Sequence, residues 1–528
     1  MRNRLIKPLD QDYTEYLRDE SRATGSAESI SFPKSPSDVI SIVQEMNNKG
    51  IPITIQGART GLAAGAVPYG GHILNLSGMD RILGMRCSHE GRFYVTCEAG
   101  VVLSRLNKII ESRKFSTASW NSVSKAALQE FANAEEQFFS PDPTETSATI
   151  GGMVANNASG ARSYLYGSTR DHVTALRVVL CNGETLLLRR GDIFARGRRI
   201  SLKTEQANNI DAQLPSYIMP KTKNAAGYYI EDDMDAIDLF IGSGGTLGII
   251  TEIELELLTK PKVIWGVNCC FEEGKCAIDF VQAARTKMKN IAALEFYDGS
   301  SLEVLRRQKA ENPAFSKLRT VDNRISSVIY VELHCENEEC AIDNLNEIAA
   351  QMQISGAKKE DTSVARTESD RDSLYFFRHA IPESVNMLID QRKKDNPIIR
   401  KLAADMSVPD RYLSDIMEMY RFTLEKNNLE SAIWGHVGDN HLHVNILPKS
   451  TVDYEKGKAL YQKWSSEVSK YGGAVSAEHG IGKLKTDQLA LMYGAEHIEE
   501  MRKLKAAFDP RGLLCPGNLF TMEGDGGK

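Results

Sequence analysis

The 528-residue chain contains no stretch of about eighteen consecutive apolar residues, which leaves no candidate for a membrane-spanning helix. Its start, MRNRLIKPLDQDY, lacks the apolar run of a secretory signal. Nine cysteines are scattered, adjacent only at Cys269-Cys270, and no CxxC spacing occurs, which argues against a disulfide framework and an iron–sulfur cluster. Basic runs are confined to RGRR (196–199) and RKK (392–394), and 64 Lys and Arg against 70 Asp and Glu leave a net charge of −6. That balance offers no electrostatic footprint for nucleic acid. Internal repeats and low-complexity tracts are absent too. What remains is an ordinary globular composition, 42% hydrophobic and 25% charged, in a chain long enough for about two to four domains. We expect a reduced, soluble, cytoplasmic protein, with peripheral attachment at the inner membrane face left open.

Glycine, by contrast, is plentiful and concentrated in three loops of the first half. Ser35-Pro36 and the apolar spacing Val39, Ile40, Ile42, Val43, Met46 predict a capped helix that stops before Gly50, and the strand IPITIQ follows. GARTGLAAGAVPYGG (57–71) then leads into a second strand, Ile73 to Leu76, rather than into a helix, which excludes the nucleotide turn of a Rossmann unit. GSGGTLG (242–248) lies after a helix around Asp235 to Phe240 and before the alternating strand ITEIELELL, so it supports no NAD site either. Between them lies PDPTETSATIGGMVANNASGARSYLYGSTRDHV (141–173), whose small residues let backbone N–H groups approach an anion closely. Ligand-free tight turns would give a similar composition. Three such loops separated by strands such as Leu176 to Leu180 favour one large phosphate-bearing cofactor. After Lys260-Pro261 the texture changes to alternating strands and helices: VIWGVNCCF, a helix over 275–288, AALEFY, VIYVELHC and a helix over 338–352. This predicts an antiparallel sheet covered by helices.

The chemistry-bearing residues lie further on. Four of the ten histidines fall between 434 and 482, in WGHVGDNHLHVNILP and SAEHGIG, where even scatter would put about one. Alternation from His441 places His441, His443 and Asn445 on one, wet face and Leu442, Val444 and Ile446 on the core face. His436, in the preceding turn, can fold back so that it and His443 bind one divalent ion, with Glu478 as third ligand after the short apolar run 474–477. Two neutral imidazoles and a carboxylate leave positions open, as in a catalytic site. Zinc suits the set best, with manganese or ferrous iron as alternatives. His479, next to Glu478 and followed by Gly480 and Gly482, is left to act as a base towards a metal-bound hydroxyl.

In order along the chain, QGARTGL, PDPTETSATIGGMVANNASG, YGSTRD, GSGGTLGIIT, HVGDNHLHVN, SAEHGIGK and FDPRGLLCPGN resemble the flavoproteins of vanillyl-alcohol-oxidase type. The resemblance is to the D-2-hydroxyacid dehydrogenase branch, which includes D-lactate, glycolate and D-2-hydroxyglutarate dehydrogenases. It implies an α+β fold: a two-part FAD-binding domain of PCMH type over 1–261, then an α+β substrate (cap) domain ending in a helical segment over 262–528. It implies that Gly57, Ala58, Arg59, Thr60 and Gly61 wrap the FAD pyrophosphate. Pro141, Thr146, Ser147, Gly151, Gly152, Asn157, Ala158, Ser159 and Gly160 are then expected to line the flavin, and Ile250 to cover it. GARTG holds no histidine, so the FAD is expected to be non-covalent. Gly244 stands where the family usually has glutamate, which removes a side-chain contact and leaves the backbone one.

By the same resemblance His436, His443 and Glu478 match the metal ligands, Asn445 a substrate contact and His479 the base. Arg378 matches the arginine that pairs with the substrate carboxylate, although the residues alone would read it as a surface arginine at a helix end. Pro382 and Ala403-Ala404 replace polar residues of the dicarboxylate-specific relatives, which favours a small monocarboxylate, D-lactate first. The implied reaction is oxidation of the D-2-hydroxy acid to the 2-oxo acid with hydride to the flavin, and the alternatives are glycolate or D-2-hydroxyglutarate as substrate. Competing readings are an ether-lipid synthase, against which AEHG stands in place of a histidine run, a metal-dependent hydrolase, and a non-catalytic FAD-binding subunit. The electron acceptor is expected to be separate: an electron-transfer flavoprotein, a cytochrome, a quinone or an iron–sulfur subunit. A homodimer is admitted as the assembly.

Overall fold

The computed structural model describes residues 5–522; the terminal GDGGK, expected to fray, lies outside them. Helix Pro36–Lys49 starts where the sequence places it, because Ser35 Oγ accepts from the Asp38 N–H, and it ends at Gly50, whose φ of 66° suits glycine. The strands Ile53–Gln56 and His72–Asn75 on either side of the first glycine-rich loop run parallel to each other in a four-stranded sheet. A five-stranded antiparallel sheet orders Ile82–Cys87, Phe93–Glu98, Ile249–Glu256, Val173–Val179 and Thr185–Arg189 side by side. Within the long small-residue stretch the chain forms a helix, Ile150–Asn156, that composition alone hides behind its glycines. Thr149 caps it, and Ile150, Met153 and Val154 bury the one apolar stripe it has.

The second half builds one larger antiparallel sheet, with Val263–Phe271, Ser327–Cys335, Ile291–Asp298, Ser431–Gly435 and His441–Ile446 at its centre. Every residue of Ser327–Cys335 is buried, which identifies a central strand covered on both faces. Ile329, Val331 and Leu333 pack into one core with the helices Gly274–Lys287 and Glu338–Ile354, whereas Val328 and Tyr330 face the helix Glu368–Asp395 through Phe377 and Ile381. The expected antiparallel sheet under helices is therefore present, with helices on both sides.

The chain then crosses back. Ala474 bridges to Ser407 at the edge of the second sheet, and Ile481 already packs in the core of the first half. Leu489, Tyr493, Met501, Leu504 and Phe508 of the helix Thr486–Phe508 bury in that same first core. Glu478 and His479 thus ride on the strap between the two bodies. No described helix is long and apolar enough to cross a membrane.

Candidate active site

His436 follows the strand Ser431–Gly435, and its ring turns back over the strand that carries His441 and His443. The tight return needs Gly435, where a Cβ would stand 2.7 Å from the His441 carbonyl oxygen. Glu478 sits among the imidazoles: Oε2 is 3.3 Å from His436 Nε2 and Oε1 is 3.4 Å from His443 Nε2. One donor atom from each of His436, His441, His443 and Glu478 falls within 4.8 Å of the others, a set that fits a divalent ion.

Around this cluster lies a shell of buried charge. Glu295 Oε1 accepts from His436 Nδ1 at 2.6 Å, which leaves Nε2 free on the Glu478 side. Burial pulls the His436 pKa down, but Glu295 and Glu478 together hold it up to about 10, so a metal would have to displace a proton there. Lys223 Nζ donates to Glu478 Oε2 at 3.1 Å and to the Gly160 carbonyl at 3.0 Å. Against the upward push of burial, Lys223 and His436 keep the Glu478 carboxyl well below its usual range. Asp405 is fully buried and serves several partners: Lys485 Nζ at 2.7 Å, Ser476 Oγ at 2.7 Å and the His479 backbone N–H at 3.0 Å. His479 Nδ1 lies 3.4 Å from Asp405 Oδ2, and its ring stacks 5.3 Å from that of His443. Burial lowers the His479 pKa to about 4, so the imidazole is neutral at neutral pH.

Two expectations need correction. The face of His441, His443 and Asn445 is polar but not wet, because Glu478 of the 474–480 strap and Asp405 stand against it; His441 is 0% exposed and Asn445 1%. Arg378 is not a surface arginine. Its helix packs on the sheet with that side inward, and Nη2 stands 3.8 Å from Glu295 Oε2 with the guanidinium over the Tyr330 ring. Glu295 therefore touches both a candidate metal ligand and the candidate carboxylate-binding arginine. Asn445 Nδ2 donates to the Ala432 and His443 carbonyls, and its Oδ1 is buried with no partner.

Glu478 and His479 also form part of the wall of a cleft of about 1460 Å³, its open mouth included. Of the residues proposed to hold the cofactor, Gly57, Ala58, Arg59, Thr60, Gly61, Gly151, Gly152, Ala158, Ser159 and Ile250 line it. Thr146 and Ser147 are instead exposed, and Pro141, Asn157 and Gly160 stand behind the wall. Pro143, Thr144 and Glu145 on one side of Thr146 and Ser147, and Ala148 and Thr149 on the other, face the cleft instead, and Asn157 spends its Oδ1 on the Arg170 N–H. Gly244 lines the cleft without a side chain, its carbonyl bound by Asn518 Nδ2 at 3.1 Å. The wall fits a phosphate-bearing cofactor: Arg59 Nη1 and Ser159 Oγ are buried donors with no protein partner. A Cβ on Gly57 would lie 2.1 Å from Thr149 Oγ1, so the loops meet where only glycine fits.

Two family models match the chain, "FAD binding domain" over residues 27–128 and 121–189, and "FAD linked oxidases, C-terminal domain" over 260–519. The chain belongs to the FAD-linked oxidases. This FAD-linked oxidase is 27% identical to the D-lactate dehydrogenase of Anaerostipes hadrus, over 97% of its own length and 93% of the relative's. It is 26% identical to the glycolate oxidase subunit GlcD of Bacillus subtilis (94% and 89% covered) and to the D-2-hydroxyglutarate dehydrogenase of Stutzerimonas stutzeri (93% and 90%). In fold the oxidase is similar to 4-ethylphenol oxidase from Gulosibacter chungangensis, with a TM-score of 0.66 at 16% identity over 98% of this chain and 95% of that one. An alkyldihydroxyacetonephosphate synthase gives 0.61 at 15% identity over 93% and 76%. The vanillyl-alcohol-oxidase type of fold and an FAD-dependent oxidoreductase chemistry follow.

Sequence reasoning missed Glu295, Asp405, Lys223 and Lys485. Only Glu295 left a local sign, a carboxylate inside the otherwise apolar strand AALEFY.

Proposed function

We propose that the enzyme oxidises a small D-2-hydroxy acid, D-lactate first, to the 2-oxo acid and passes the electrons to a separate acceptor. The observation that carries the reading is the shared cleft, in which orphaned donors suited to FAD and the Glu478–His479 end of a metal-type cluster line one wall. When bound, non-covalent FAD supplies a hydride acceptor, and a divalent ion on His436, His443 and Glu478 supplies a Lewis acid for the substrate hydroxyl. Arg378 takes the substrate carboxylate with its planar fork. The unpartnered Asn445 Oδ1 is an acceptor suited to the substrate hydroxyl rather than to its carboxylate. Asp405 next to Nδ1 favours the His479 tautomer protonated there, leaving Nε2 to take the hydroxyl proton. The C2–H electron pair leaves as hydride, the O–H proton goes to His479, and the C2–O double bond forms.

One observation favours a longer, doubly charged acid. Lys401, two residues before Ala403, donates from Nζ to Asn386 Oδ1 at 3.0 Å, and burial holds its pKa down to about 8. Asn386 belongs to the helix Glu368–Asp395 that carries Arg378, so Lys401 reaches the same helix as the candidate carboxylate-binding arginine. The test is anaerobic flavin bleaching by D-lactate, glycolate, D-2-hydroxybutyrate and D-2-hydroxyglutarate, each with and without a chelator. Rapid, chelator-sensitive bleaching by D-lactate supports the first reading, and bleaching by D-2-hydroxyglutarate alone supports the second. A flavin that none of them bleaches rejects both.

A further inference from the structure

We propose that His441 is a fourth protein donor to the divalent ion, through Nδ1, so that three imidazoles and one carboxylate hold it. The inference rests on reading this cluster as a metal centre and adds a ligand that the spacing of His436, His443 and Glu478 does not call for.

Geometry is the first ground. His441 and His443 are two residues apart on one strand and so project from the same face, with ring centroids 4.4 Å apart. His441 Nδ1 lies 3.7 Å from Glu478 Oε2, next to 3.3 Å for His436 and 3.4 Å for His443. Neighbouring ligands at bond lengths of ~2.0–2.2 Å stand about 3–3.5 Å from one another, whether the ion takes six ligands or four. All three imidazoles are therefore placed about Glu478 as co-ligands would be.

The second ground is what surrounds the ring. Its outer nitrogen, Nε2, is 2.8 Å from Asp405 Oδ1, close though not aligned as a hydrogen bond. That repeats the arrangement at His436, whose outer nitrogen meets Glu295 and whose inner nitrogen faces Glu478. A carboxylate behind an imidazole that points its other nitrogen at a shared centre is the usual backing of a metal-bound histidine. The third ground is satisfaction: His441 is 0% exposed, and Nδ1 has no hydrogen-bond partner. A buried polar nitrogen left unpaired costs stability, and a metal bond removes that cost.

The fourth donor changes which ion suits the site. Four protein ligands complete the shell of a tetrahedral zinc, whereas an ion that takes six ligands keeps two positions for the carboxylate and hydroxyl of a chelating acid. Manganese or ferrous iron then fits the reaction better than zinc.

The test loads the flavin-bound enzyme with Co(II) and compares wild type with His441→Asn by X-ray absorption, alongside Co(II) affinity from competition with a chromophoric chelator. Three imidazoles in wild type, one fewer in the variant, and a dissociation constant at least about tenfold weaker are expected. Two imidazoles in wild type overturn the inference while the metal centre stands. No stoichiometric Co(II) in wild type overturns the metal centre and this inference with it. Should His441→Asn not fold, the wild-type imidazole count decides alone.

Discussion

His479 and Glu295 sit on opposite sides of the cluster, and their contacts separate proton transfer from the holding of the site. His479 touches the cleft, and its ring is held by stacking on His443 and by Asp405. Replacing His479 with Ala removes the ring but keeps the backbone N–H that donates to Asp405, so FAD should remain bound while anaerobic flavin reduction by the hydroxy acid slows by about 10² to 10⁴-fold. Stopped-flow absorbance reads both quantities, and unchanged reduction would remove His479 from the role of base. Glu295 acts through its neighbours. Glu295→Gln keeps the shape but removes the charge that fixes His436 and faces Arg378, so metal affinity should fall by about 10 to 100-fold and KM for the acid should rise. A chelator titration in which the variant matches wild type would show that Glu295 only fills space.

At the scale of elements, the site depends on loops laced across the chain rather than on any one helix or strand. The Lys483 N–H donates to the Ala63 carbonyl at 2.8 Å, and Leu519 N–H to that of Gly482 at 2.9 Å, which ties the strap after His479 to the first glycine loop and to the C-terminal tail. Gly482 has a φ of +49°, and a Cβ there would stand 2.0 Å from the Ala63 oxygen. Gly482→Ala should therefore push the two loops apart at a cost of about 1–3 kcal/mol and weaken FAD binding, measurable as flavin retained after gel filtration. Full flavin content and unchanged stability would mean that the strap tolerates the shift.

Legibility follows the same division between local and tertiary. The three strands from 263 to 335 and the helices Gly274–Lys287 and Glu338–Ile354 could be read directly, because alternation and the 3.6 period are local properties of the sequence, whereas the helix Gly299–Glu311 went unread. His436, His443 and Glu478 stood out by spacing. Asp405 and Lys223 did not, since each reaches the cluster from a segment with no pattern of its own and only packing brings it there. Thr146 and Ser147 were placed on the cofactor wall by resemblance; they are exposed, while Pro143, Thr144 and Glu145 before them and Ala148 and Thr149 after them line the cleft, and the helix that follows Thr149 hides its period behind its glycines.

For the whole molecule, acid stability depends on histidines buried in the neutral form. His72, wholly buried in the four-stranded sheet, faces Ser29 Oγ from Nδ1 and Ser31 Oγ from Nε2, both at 2.8 Å, so no carboxylate is at hand to pair with an imidazolium. Burial lowers its pKa to about 4, with Glu45 opposing weakly. A depressed folded-state pKa means that the unfolded chain binds the proton first. The stability this ring contributes is thus complete above pH 6.5 and is lost as pH falls towards 4. Between pH 6.5 and 5 the loss amounts to about 2 kcal/mol. Urea unfolding of the metal-free protein should show its midpoint falling across that window. His72→Gln cannot take up the proton, so it should lower the midpoint at pH 7 and flatten the fall between pH 6.5 and 5. A variant with the same slope as wild type would place the titrating group elsewhere, in His479, whose pKa burial also lowers to about 4, or in His172, which burial lowers too and whose Nε2 faces Ser140 Oγ at 2.9 Å and the Tyr166 carbonyl at 2.8 Å.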